Sequence, residues 1–107
     1  MSQESKALAE SQIEAEVCGY AERRGALTFK FSSPNRRGVP DRIFIFPGGK
    51  AVFIEFKSAK GKLSPLQKRT FDKLWERGCR VSVVRSVETG REIVDKEIAD
   101  WRRAHVE

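Results

Sequence analysis

The stretch GVPDRIFIFPGGKAVFIEFKSAKGKLSPLQ, Gly38–Gln67, decides how this chain folds. Two short apolar runs, IFIF and AVFI, flank PGGK, where Gly48 and Gly49 supply positive φ at little cost. The pattern predicts a β-hairpin with strands over Arg42–Phe46 and Ala51–Lys57. Period two puts Val52, Ile54 and Phe56 on one face of the second strand and Phe53, Glu55 and Lys57 on the other. Ile43, Ile45, Val52, Ile54 and Phe56 are the expected core. A turn at Gly48 and Gly49 pairs positions summing to about 97, so Asp41 comes to lie opposite position 56, between Glu55 and Lys57. Glu55 and Lys57 are themselves roughly 7 Å apart along the strand.

Outward from the hairpin, the elements alternate. Ile13, Val17, Tyr20 and Ala21 recur at helical spacing over about Glu10–Arg24, and Gly25 is placed to stop the helix. LTFKF, from Leu27, alternates as a half-buried strand, and SSPNRRGVP is a loop by composition. Ser64, Pro65 and Gln67 open a helix as N-cap, first helical residue and capping-box partner. Leu66, Phe71, Leu74 and Trp75 form its apolar stripe, and Gly78 ends it. RVSVV is a fourth strand. A last helix is predicted over roughly Arg91–Ala104, with Ile93, Ile98 and Trp101 inward.

The order α-β-β-β-α-β-α predicts an α/β fold. Its mixed sheet of about four strands is flanked by helices, with one parallel pair made by the helical crossover and a helix at the C-terminus. One domain spanning residues 1–107 is expected, with residues 1–9 a frayed lead-in.

Composition narrows the function. Charged residues make up 34% of the chain and no apolar run exceeds a few residues, which excludes a transmembrane helix. The polar start, MSQESKALAESQ, lacks a signal-peptide layout, so a cytoplasmic location is expected. Cys18, Cys79 and His105 are too scattered for a zinc site, and the cysteines read as reduced. The net charge of +6 is unevenly spread, because residues 17–85 hold sixteen bases against five acids. A middle this basic points to a polyanion, nucleic acid being the commonest.

Asp41, Glu55 and Lys57 then admit two readings. They are a turn residue and a solvated pair, which contributes little. Alternatively, two carboxylates and an ammonium converge where a hard cation such as Mg²⁺ can bind beside a phosphate.

The residues GVPD, the fourteen-position step from Asp41 to Glu55, and IEFK resemble the PD-(D/E)xK nuclease motif. The longer stretch FKFSSPNRRGVPDRIFIFPGGKAVFIEFKSAKGKLSPLQ resembles the VRR-NUC branch of that superfamily, particularly its small stand-alone phage and bacterial members, from about Ile13 to Val84. The resemblance implies a Mg²⁺- or Mn²⁺-dependent DNA endonuclease. It implies that Asp41, Glu55 and the Phe56 carbonyl hold metal, and that Lys57 serves the attacking water or the transition state. It also implies an acidic ligand on the first helix, at Glu14. Glu10 lies on the same side one turn away, whereas Glu16 points about 200° from Glu14. Gln67 matches a family glutamine, and helix capping or contact with substrate phosphate both explain it. Lys30, Arg36, Arg37, Lys60 and Lys62 are the expected DNA contacts. No aromatic is placed for base stacking, so sequence reading is not expected. Stand-alone members imply a homodimer acting on Holliday junctions or other branched DNA. A non-cleaving DNA-binding module, or a nuclease subunit active only in a larger complex, are the alternatives.

Overall fold

The computed structural model describes residues 8–105. The elements run α1 (Glu10–Arg23), β1 (Leu27–Lys30), β2 (Arg42–Ile45), β3 (Ala51–Phe56), α2 (Pro65–Glu76), β4 (Arg80–Val84) and α3 (Val87–His105). The strands form one sheet in the order β1-β2-β3-β4. β1–β2 and β2–β3 are antiparallel, and β3–β4 is parallel across the α2 crossover. The expected mixed sheet with flanking helices is the observed one. The lead-in expected over residues 1–9 falls, up to residue 7, outside the described residues.

One face of the sheet carries the core. Phe44, Phe46, Val52, Ile54, Phe56 and Val84 pack there against Ile13, Val17 and Ala21 of α1 and Val94 and Ile98 of α3. This corrects the expectation for β2: Phe44 and Phe46 are buried, while Ile43 and Ile45 are half-buried. Alternation separates the two faces of a strand but does not say which one the helices cover. Phe44 pairs with Val52 on the covered face, and Ile43 pairs with Phe53 on the other.

The second face is covered unevenly. α2 lies over the β4 side and buries Phe71, while Trp75 remains 54% exposed. At the opposite edge Leu27 and Phe29 of β1 are 59% and 52% exposed. The half-buried strand expected there is therefore an exposed edge strand: α1 touches its other side, but no helix covers the face that carries Leu27 and Phe29. Trp75 thus falls outside the buried part of the predicted apolar stripe.

α3 starts at Val87, four residues before the predicted start. The Ser86 hydroxyl accepts the Thr89 N–H at 3.1 Å and caps this end. The extra turn brings Gly90 against α1, where an added Cβ would stand 2.4 Å from Val17 Cγ2. Farther along, Glu97 is buried with Arg80 Nη2 at 2.8 Å and Lys50 Nζ at 3.0 Å, which ties α3 to the starts of β3 and β4. Trp101 closes over Gly48 in the hairpin turn.

Gly90→Ala is expected to lower stability by about 1–3 kcal/mol through overpacking against Val17. Urea unfolding measures this, and adding Val17→Ala recovers part of the loss.

Candidate active site

The site is built where β2 begins and β3 ends. The observed register pairs Arg42 with Ile54, so partners sum to 96 and the ladder carries Asp41 toward Glu55. The Asp41 carboxylate then turns onto the backbone: its Oδ2 accepts the Phe56 N–H at 3.0 Å. The Asp41 carbonyl accepts the Phe31 N–H at 2.8 Å, extending the β1–β2 pairing by one step. These two bonds fix Asp41 at the mouth of the hairpin.

Glu55 faces away from the main core, toward α2, yet is only 2% exposed. Its Oε2 accepts from Gln67 Nε2 at 3.0 Å and lies 3.4 Å from Lys57 Nζ. Its Oε1 is buried without a hydrogen-bond partner. Burial, and secondarily the charge of Asp41, push the Glu55 carboxyl above the usual glutamate range, with Lys57 and Gln67 opposing. Glu97, the other buried carboxylate, also has an Oε1 that accepts no hydrogen bond, but a cation lies within 3.0 Å of each of its oxygens. Glu55 has a cation at one oxygen only.

Gln67 takes the capping role expected for it and adds a contact with Glu55 that the sequence did not suggest. Its Oε1 accepts the Ser64 N–H at 2.9 Å while its own N–H reaches Ser64 Oγ at 3.1 Å, completing the capping box. The other end of the amide donates to Glu55. A carboxamide can do this because it carries an acceptor and donors on one group. The cap of α2 is thus also the clamp on Glu55.

Glu14 is placed differently. It sits on α1, on the opposite face of the sheet from Glu55, and its Oε2 accepts from Arg42 Nε at 2.7 Å with Lys30 Nζ at 3.4 Å. No group of three His, Cys, Asp or Glu side chains able to hold a metal occurs among the described residues. Glu10 is exposed, and Glu16 lies 3.9 Å from Arg91. Lys60 and Lys62 are exposed on the loop between β3 and α2, which Arg85 pins by donating to the Gly61 carbonyl. Arg36 and Arg37 are exposed on the loop after β1. Arg42 was missed by the sequence reading, since its pairing with α1 is a long-range contact. Arg69, Lys73 and Arg77 on α2 were also missed, although their four-residue spacing is visible in the sequence.

The donor set fits a hard divalent cation. Asp41 and Glu55 offer carboxylate oxygens, one of them buried and orphaned, and Mg²⁺ takes one or two such ligands beside substrate phosphates. A cation there would satisfy Oε1 and offset the repulsion between the two acids.

The chain is similar to known proteins in both sequence and fold. The VRR-NUC domain family model matches residues 20–88, which include Asp41, Glu55, Lys57 and Gln67 but not Glu14. "Putative nuclease p44" of Acyrthosiphon pisum secondary endosymbiont phage 1 is 39% identical over 77 residues, covering 72% of this chain and 83% of that protein. A solved structure described as a VRR_NUC domain superposes with a TM-score of 0.75 at 30% identity, over 80% of this chain and 94% of that one. A second, described as a VRR_NUC domain protein, gives 0.73 at 17% identity over 88% and 91%, a likeness of fold.

Glu55→Gln keeps the Gln67 contact and removes the buried charge. The folded state holds the Glu55 proton more tightly than the unfolded chain does, so wild-type stability falls as pH rises from about 4 through the raised folded value. The metal-free variant is therefore expected to melt above wild type at pH 7, with the gap closing below about pH 4. Thermal melts across this range check it.

Proposed function

The chain belongs to the VRR-NUC domain family, and from that premise we propose that it is a divalent-metal-dependent endonuclease that hydrolyses phosphodiester bonds in branched DNA. The observation that carries the reading is the buried Glu55, with one oxygen lacking a partner, set beside Asp41. Two carboxylates, Asp41 and Glu55, set beside a DNA-facing surface would repel phosphate unless a cation intervened.

In this reading Asp41, Glu55 and the Phe56 carbonyl would hold Mg²⁺ or Mn²⁺, the arrangement of a PD-(D/E)xK site. When bound, the metal supplies Lewis acidity and a more acidic water. The chain's own residues supply the rest. Asp41, anchored on the Phe56 N–H, keeps its carboxylate at the strand end. Gln67 holds Glu55 in one orientation. Lys57 Nζ, 3.4 Å from Glu55, stands ready to balance negative charge building on the phosphoryl group. Glu14 would join as a third carboxylate only by leaving Arg42 and reaching around the strand ends from the other face of the sheet. Lys30, Arg36, Arg37, Lys60 and Lys62 contact phosphates and orient the DNA.

A homodimer is part of the same reading. Its supporting observation is the uncovered apolar side of the edge strand at Leu27 and Phe29. The mass by light scattering at micromolar concentration should be that of two chains, and a one-chain mass contradicts it.

The central experiment offers junction, flap, splayed and linear DNA with Mg²⁺ or Mn²⁺. Wild type should cut the branched forms. Asp41→Asn and Glu55→Gln should lower cleavage on the order of a hundredfold or more while DNA binding persists or tightens. Binding of branched DNA without any cutting would instead make the chain a non-cleaving module.

A further inference from the structure

A groove of about 610 Å³ runs between the loop after β1 and α2, beside the carboxylate site. Its rim carries Arg36 and Arg37 from the loop and Arg69, Lys73 and Arg77 from α2, and no carboxylate lines it. Among the described residues, Arg36, Arg37, Arg69 and Lys73 form no ion pair. The three α2 cations follow one another at four-residue intervals, about 6 Å apart along the helix. Its floor is apolar: Phe31, Val39, Leu66 and Leu74.

The groove is a built feature. At Gly38 (φ +88°) the loop backbone presses on α2, where an added Cβ would stand 2.8 Å from Thr70 Oγ1 and 3.1 Å from the Leu66 carbonyl. It also adjoins the site directly. Leu66 lines the groove, and the next residue, Gln67, holds Glu55.

A duplex backbone presents phosphates and sugars, which would use the cationic rim and leave the apolar floor empty. A nucleotide released from its pair presents a base with a π-face as well as a phosphate, and it matches both surfaces. Phe31, its ring centroid 5.6 Å from that of Phe53, supplies the aromatic element that the sequence reading had not placed. We infer that this groove receives an unpaired nucleotide next to the scissile position, its base on the Phe31–Leu66–Leu74 floor and its phosphates on Arg69, Lys73 and Arg36. Selection of branched DNA then follows from a need for a strand that has left its duplex. The inference rests on the proposed nuclease reading and names the feature of DNA that the site requires.

The test is DNA binding by fluorescence anisotropy in EDTA, so a protein that never cuts still reports on the groove. Wild type should bind a splayed fork about fivefold or more tightly than a blunt duplex of equal length, the lower end of what stacking one base contributes. An abasic residue at the first unpaired position, which keeps the phosphate, should remove most of that preference. Arg69→Gln with Lys73→Gln, both at exposed positions, should weaken fork binding and reduce the salt dependence by about 1–2 phosphate contacts. Equal affinity for fork and duplex, or no response to the abasic residue, overturns the inference.

Discussion

The Asp41 carboxylate bonded to the Phe56 N–H at 3.0 Å is the contact on which the site depends. It joins the residue just before β2 to the last residue of β3, where the ladder of β2 and β3 has run out. The PGGK turn sets the register at the far end of the hairpin, and this bond closes the near end. A slip of one residue would send Glu55 into the Phe44–Ile54 core and Phe56 outward. The packing of Phe44, Val52, Ile54 and Phe56 on α1 and α3 opposes that slip. Core and site are thus opposite faces of one hairpin, specified together.

Glu55 is the costly element of this arrangement. A buried carboxylate beside a second one loses stability unless a cation or a proton compensates it. Glu97 is compensated differently, as a tie between elements: Arg80 bonds its Oε2 and the Lys50 ammonium stands 3.0 Å from Oε1, although Oε1, like that of Glu55, accepts no hydrogen bond. Glu55 receives Lys57 and Gln67 on one oxygen and nothing on the other. The two glutamates differ in charge compensation: a cation stands at each oxygen of Glu97, and at only one of Glu55.

Much of this was legible in sequence, for local reasons. The hairpin, the Ser64-Pro65-Gln67 cap and the parallel crossover all follow from turn chemistry and spacing, and all are observed. What escaped depended on which face a neighbour covers. Ile43 and Ile45 read as core because they alternate, but α1 and α3 lie on the Phe44 side. The start of α3 was hidden because VETG is a poor helix former, and Gly90 is there for its closeness to Val17. The Glu14–Arg42 pair joins residues 28 apart, which no local pattern encodes. The Gln67 cap was legible from Ser64 and Pro65, whereas its bond to Glu55 joins two elements that only the fold brings together.

Everything proposed for this chain turns on Asp41 and Glu55 together forming a cation site. A crystal of the protein with Mn²⁺, measured at the manganese absorption edge, tests it most directly. The account predicts an anomalous peak about 2.1 Å from Glu55 Oε1 and from an Asp41 carboxylate oxygen. A well-occupied Mn²⁺ elsewhere with this pocket empty, or Lys57 swung across to occupy Oε1 in its place, would contradict it.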